Sequence, residues 1–266
     1  MILPVALPLF LGLCVLVLSE DSEDSEMEVD KCDNTTIGGE PMDIKDAPWT
    51  ASITVREKAK CVGVIYKLNY ILTVAQCVDG YLNKAIRVRV GSTTRSDGVT
   101  EATICDTIIH EKFNLQATNY NVALLKLCSP LKDSATIKPI QLVDKFPADG
   151  SKVLVTGWPS FRWWTEYFDQ CLEDLAHKLQ KAEVKMSGKK KCMKDWPEKY
   201  QLGRNLTDEM FCTEKTAKNS CSFDLGAPLA FKEKLVGILV RGGCSARPEI
   251  YNNLQLYRSW LDKNTK

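Results

Sequence analysis

The chain has 266 residues, enough for one large domain or two small ones around a sizeable core. Its 35 basic and 34 acidic residues nearly cancel, so no global field points to nucleic acid. Eleven cysteines stand beside only two histidines, with no C-x-x-C pair and no His-rich tract, which argues against a zinc site; no metal or cofactor is expected.

Ile2 to Leu18 is almost wholly apolar and is followed by small and polar residues. It reads as the apolar core of a secretory signal peptide over residues 1–19, although no Lys or Arg precedes it. The alternative is a membrane anchor. It is disfavoured because the run is at the short limit of roughly 17–25 residues for a spanning helix and has no basic stop. Removing the signal removes Cys14 and leaves ten cysteines, an even number suited to disulfides in an oxidising, extracellular compartment. Residues 20–35 are expected to form an acidic pro-segment or linker, since Glu20 to Asp30 is dense in Asp, Glu and Ser and has almost nothing to bury. A docking tail for a basic partner is the weaker reading of that charge.

Short β-branched runs follow, separated by turn residues: Trp49 to Val55, Cys61 to Tyr66, Tyr70 to Ala75, Ile86 to Val90, Thr103 to His110, Val122 to Leu127, Lys152 to Gly157, Leu179 to Met186 and Leu235 to Arg241. Such a pattern predicts an all-β barrel or sandwich. Leu254-x-x-Tyr257-x-x-Trp260-Leu261 has helical spacing and should pack one face onto the body. His110 ends a predicted strand and His177 lies in an amphipathic stretch; both are read as surface histidines. The run from Ser160 to Phe168, with Phe161, Arg162, Trp163, Trp164 and Tyr167, is either an interface or a set of rings folded back over a cleft. Lys185, Lys189, Lys190, Lys191 and Lys194 form a basic cluster. A solvated loop is the plainer reading, and a site for an acidic polysaccharide or acidic partner the sharper one. Asn34-Thr35-Thr36 and Asn205-Leu206-Thr207 are N-glycosylation sequons.

Five stretches carry a resemblance. Thr35-Thr36-Ile37-Gly38-Gly39-Glu40 resembles R-I-V-G-G-E. Cys61-Val62-Gly63-Val64-Ile65 through Ile71-Leu72-Thr73-Val74-Ala75-Gln76-Cys77-Val78 is similar to C-G-G-S-L-I…V-L-T-A-A-H-C-V. Asn119-Tyr120-Asn121-Val122-Ala123-Leu124-Leu125-Lys126-Leu127 resembles N-x-D-I-A-L-L-K-L, and Val155-Thr156-Gly157-Trp158 resembles V-T-G-W-G. Asn219-Ser220-Cys221-Ser222-Phe223-Asp224-Leu225-Gly226-Ala227-Pro228-Leu229 is similar to D-S-C-Q-G-D-S-G-G-P-L. These are the motifs of trypsin-like serine proteases, and Tyr251 through Asn264 also resembles that family's C-terminal segment. The resemblance runs from about Thr36 onward and implies one domain over residues 36–266. Its fold would be two six-stranded antiparallel β-barrels, residues 36–143 and 144–250, followed by a C-terminal α-helix.

At the family's functional positions the sequence departs from the pattern. Gln76 stands for the catalytic histidine, and an amide takes up no proton near neutral pH. Asn121 stands for the aspartate that orients that histidine, and Leu225, with no oxygen, for the nucleophilic serine. Phe223 replaces the glycine whose N–H helps form the oxyanion hole. Asn219, Arg241 and Glu249 alter the specificity pocket. Thr35 cannot fill the pocket of a trypsin-type activator, so the junction should remain uncut and Asp224, which in the family pairs with the freed amino terminus, should be hydrogen-bonded or solvated instead.

The resemblance also implies disulfides Cys61–Cys77, Cys192–Cys212 and Cys221–Cys244, and apolar Val153 and Phe231 where the family has another bridge. Cys105 and Cys128 lie on segments expected to be neighbouring antiparallel strands and are paired on that ground. Cys32–Cys171 is then left by elimination. The function expected is that of a secreted, catalytically inactive protease homologue that binds an extracellular protein, an active protease among the partners the family suggests. No nucleic acid and no membrane anchor are expected. The alternatives are an active hydrolase with a rewired site and a polyanion-binding secreted module.

Overall fold

The structure, a computed structural model, describes residues 39–95, 100–115, 119–158, 177–196, 206–214, 224–242 and 248–266. Strands β1 (Glu40–Pro41), β2 (Thr50–Val55), β3 (Lys58–Lys67), β4 (Tyr70–Thr73), β5 (Ile86–Val90), β6 (Thr100–Ile109) and β7 (Ala123–Leu127) come first. Strands β8 (Lys152–Gly157), β9 (Gln180–Ser187), β10 (Met210–Thr213), β11 (Pro228–Phe231), β12 (Lys234–Arg241) and β13 (Ile250–Asn253) follow. Helix α1 (Lys189–Asp195) lies between β9 and β10, and α2 (Arg258–Asn264) follows β13.

The strands form two closed, six-stranded antiparallel barrels. One has the order β2-β3-β4-β7-β6-β5. In the other, β8-β9-β10-β13-β12-β11 closes because β8 pairs with both β9 and β11. Strand β1 adds to the outside of that second ring, with Glu40 opposite Lys181. Alternation explains β5, where Ile86, Val88 and Val90 are buried while Arg87 and Arg89 reach outward. Ile53, Ile65, Ile71, Leu72, Leu124 and Leu125 fill the first barrel, and Trp158, Leu179, Leu229 and Tyr251 help fill the second. Val153 and Phe231 both belong to the second core, and continuing the β8–β11 register sets one opposite the other, so apolar packing holds that position.

Nine of these strands match the predicted runs within a few residues, while β1, β10, β11 and β13 have no counterpart among them. Met210-Phe211-Cys212-Thr213, Pro228-Leu229-Ala230-Phe231 and Ile250-Tyr251-Asn252-Asn253 are too short to show a period, and all but two of their residues are buried on both sides. The lysine cluster is corrected in part. Lys189 to Asp195 is helical, anchored by the Cys192–Cys212 disulfide and followed by the buried Trp196.

His110 is also corrected. It is buried, stacked between Tyr120 (4.9 Å) and Trp260 (5.1 Å), with Tyr257 edge-on at 5.7 Å. Its Nδ1 accepts the Lys112 N–H at 3.2 Å, and the Trp260 indole N–H donates to Glu111 at 2.9 Å. This ring cluster is the seat of α2 on the first barrel, so a strand-end histidine became interior once the helix covered it. Burial pushes the His110 imidazole down; the Glu111 carboxylate at 3.8 Å opposes that shift and Lys112 adds to it. The folded chain therefore holds His110 neutral to lower pH than the unfolded chain does. That stabilisation is full above the unfolded value near ~6.5 and is lost as pH falls through the folded value. Urea midpoints should fall on acidification more steeply in the wild-type protein than in His110→Phe.

Two hairpins turn through residues poorly suited to the work. Val55 pairs with Lys58 and Phe231 with Lys234, so each loop has two residues. Arg56 (φ 50°) and Glu57 (φ 65°), and Lys232 (φ 49°) and Glu233 (φ 58°), all lie in the left-handed region where Asn-Gly is preferred. Glu57→Gly and Glu233→Gly should each raise unfolding free energy by about 1 kcal/mol, read from urea denaturation.

Candidate functional site

Strand β4 ends at Thr73, and Ala75–Cys77 turns in a single 3-10 step that is pinned to β3 by the Cys61–Cys77 disulfide. This turn carries Gln76. Because Thr73 pairs with Ala123, the residues just ahead of β7 come alongside, and Asn121 meets Gln76 there. Asn121 is fully buried. Its Oδ1 accepts the Gln76 backbone N–H at 3.0 Å, and its Nδ2 donates to Gln76 Oε1 at 2.8 Å. The side chain of Asn252 donates to the Asn121 carbonyl at 2.5 Å, and Gln76 Nε2 donates to the Val240 carbonyl at 3.4 Å. The Asn121 amide thus works in both directions at once, as donor and acceptor, which a carboxylate cannot do.

Leu225 reaches the same region from the second barrel. Its carbonyl accepts the Val62 N–H at 2.8 Å, and the half-buried side chain packs against the hydrophobic cluster that spans both barrels. Gly226 follows with φ +86°, and its N–H donates to Leu239, next to the Val240 that receives Gln76. A Cβ on Gly226 would lie 2.0 Å from the Val62 carbonyl oxygen, so only glycine fits there. Gln76, Asn121 and Leu225 are therefore brought to one junction between β3, β4 and the end of β12. None of the three supplies a nucleophile or a group that takes a proton near neutral pH.

Asp224 departs from the expectation of a solvated or simply hydrogen-bonded side chain. It is buried, and its Oδ2 lies 2.6 Å from a guanidinium nitrogen of Arg95. Arg95 follows β5 in the other barrel, and its guanidinium carbon sits 5.8 Å from the centre of the Trp158 ring. The run Gly91-Ser92-Thr93-Thr94-Arg95 looks like an ordinary polar turn, and nothing in it marks this arginine among the chain's 35 basic residues.

Glu249 is buried and accepts the Tyr251 hydroxyl at 2.5 Å. Burial first, and the Glu249 charge second, push the Tyr251 phenol well above its ordinary range. Arg241 ends β12 exposed, 5.6 Å from the Trp196 ring. Disulfides join Cys61–Cys77, Cys105–Cys128 and Cys192–Cys212. Asn219, Phe223, the pairs Cys221–Cys244 and Cys32–Cys171, the sequon asparagines Asn34 and Asn205, and the aromatic run 160–168 lie outside the described residues. In the lysine cluster, Lys189 pairs with Asp208 at 2.7 Å and Lys191 with Glu214 at 2.5 Å. Among the described residues no group of three His, Cys, Asp or Glu side chains could hold a metal ion, and no helix is long and apolar enough to cross a membrane.

A family model described as Trypsin matches residues 36–261. Hypodermin-B of Hypoderma lineatum is 32% identical over 88% of this chain and 89% of its own length. A trypsin of Sarcophaga bullata is 32% identical over 77% and 79%. Among solved structures, the scabies mite inactivated protease paralogue S-D1 superposes with a TM-score of 0.75 at 25% identity, over 85% of this chain and 96% of that one.

The reciprocal amide pair has a measurable consequence. In Asn121→Asp the ionised carboxylate loses the donor to Gln76 Oε1 and sets two acceptors face to face, which should cost about 1–3 kcal/mol. Gln76→His added to that variant supplies an N–H for the carboxylate and should recover a large part of the loss. A double-mutant cycle in urea measures both changes.

Proposed function

This chain belongs to the trypsin family, and on that premise we propose that it is a secreted member that works by binding an extracellular protein and hydrolyses nothing. The observation that carries this reading is the site itself. Where the family's sequence pattern has serine, histidine and aspartate, this chain has Leu225, Gln76 and Asn121. Acyl transfer in this family needs an attacking oxygen, a base to take its proton and a carboxylate to hold that base. A leucine and two amides provide none of them. The Gln76 side-chain oxygen already accepts the Asn121 amide, and the Gln76 backbone N–H is given to Asn121 in return.

Further departures support the same reading. Phe223 stands at an oxyanion-hole glycine, Asn219, Arg241 and Glu249 at pocket positions, and Thr35 at the activation junction. The S-D1 paralogue, described as an inactivated protease, has this fold at 25% identity, which accords with a member of the family that has kept the fold without the chemistry. The partner class the resemblance suggests is an extracellular protein, with active proteases foremost, for which this chain would be a cofactor, decoy or scaffold. A polyanion partner is less well supported, because Lys189 and Lys191 already have carboxylate partners on the surface.

A fluorophosphonate probe, which reacts only with an activated serine, should leave the purified protein unlabelled. Leu225→Ser alone should remain unlabelled and hydrolyse no peptide ester above the buffer rate, since Gln76 still cannot accept the proton. Labelling of the wild-type chain, or ester hydrolysis by the single variant, would refute the reading.

A further inference from the structure

We infer that Arg95 is a built-in counter-charge that positions the Asp224–Ala227 turn, so that this turn is already formed in the uncut chain and cleavage before Thr36 adds nothing to it. The turn's conformation is at issue, whether or not the chain cleaves a substrate.

The Asp224 side chain is 8% exposed and that of Arg95 is 13% exposed, and 2.6 Å separates their charged atoms. A carboxylate so far from water is held ionised only with a cation beside it. Each partner also sits on a segment held by hydrogen bonds of its own. The Arg95 loop is tied down by two backbone–backbone hydrogen bonds, Arg95 N–H to the His177 carbonyl (2.8 Å) and Leu179 N–H to the Thr93 carbonyl (2.7 Å), and by Ile44 N–H donating to the Thr93 hydroxyl (3.1 Å). Thr94 also bridges Lys178. The Asp224 turn is tied down as firmly. Asp224 N–H donates to Trp158 (3.1 Å), Ala227 N–H to Asp224 (3.1 Å), Gly226 N–H to Leu239 (2.8 Å) and Val62 N–H to Leu225 (2.8 Å).

Trp158 links the two sides, since its carbonyl accepts from Asp224 while its ring lies beside the Arg95 guanidinium. The ion pair therefore joins a loop of the first barrel to the turn that presents Leu225 on the second. Sequence alone leaves Asp224 in need of a chain end or of water; the fold supplies a guanidinium from the same, continuous chain.

Hydrogen exchange on the full secreted chain tests this. The amides to follow are Asp224, Gly226, Ala227, Val62 and Leu239. A second form carries a site-specific endopeptidase sequence inserted between Thr35 and Thr36 and is measured before and after cutting. Cutting should change protection of these amides by less than about threefold. Arg95→Met should lower it by about a hundredfold or more, as expected when one partner of a buried pair is removed. Arg95→Lys, which restores the charge, should recover most of the protection, and so should Arg95→Met combined with Asp224→Asn. If Arg95→Met alone does not fold, a folded double variant still supports the pair. A tenfold gain on cutting, an unchanged Arg95→Met, or a double variant no better than the single one would overturn the inference.

Discussion

Backbone contact between β3 and the Asp224–Ala227 turn is the constraint on which this site depends. Val62 gives its N–H to Leu225, while its carbonyl accepts the Thr73 hydroxyl at 2.9 Å and leaves no space for a side chain at Gly226. One residue thus fixes the turn of the second barrel against the strand of the first. Thr73 in turn leads into the step that carries Gln76. The Asp224–Ala227 turn takes its place against β3 from this contact, and the Arg95–Asp224 ion pair holds the same turn from its other side. Leu225 enters the contact through its carbonyl, so this bond does not depend on the side chain at that position.

The amide pair follows a similar logic. A buried carboxylate needs a positive partner, and its desolvation is costly. The Asn121 amide is satisfied as a neutral group, since it accepts the Gln76 backbone N–H and donates to the Gln76 side-chain oxygen, so it stays buried without charge. Asp224 takes the other route and remains ionic, because Arg95 is held within reach. Asn121 and Asp224 are thus held in two ways, one as a neutral amide and one beside a cation.

Much of the architecture was legible because short runs such as the alternating Ile86 to Val90 and the apolar Ala123 to Leu127 announce themselves by composition and length. The four-residue strands β10, β11 and β13 do not, since their identity comes from the neighbours they pair with rather than from any period of their own. α1 reads as a charged loop until Cys192 and Trp196 are seen to anchor it. Gln76, Asn121 and Leu225 are singled out by resemblance to the family's motifs, and the fold brings the three to one junction. Arg95 and the stacking of His110 are not singled out, because both arise from segments distant in sequence that only the closed barrels bring together. A lone arginine in a polar turn has no local signature of the carboxylate it will meet.

Each barrel is finished by a segment that belongs, in chain order, to the far side of the other. Strand β1 precedes the first barrel and pairs with β9 of the second, while α2 follows the second barrel and seats on His110 and Tyr120 of the first. During synthesis the first barrel is therefore made long before its aromatic face can be covered, and it waits with that face open until residues 257–265 emerge. Contacts of such long range delay folding. They also tie each barrel to the other, so the two should be lost together, as one unit, when the protein unfolds.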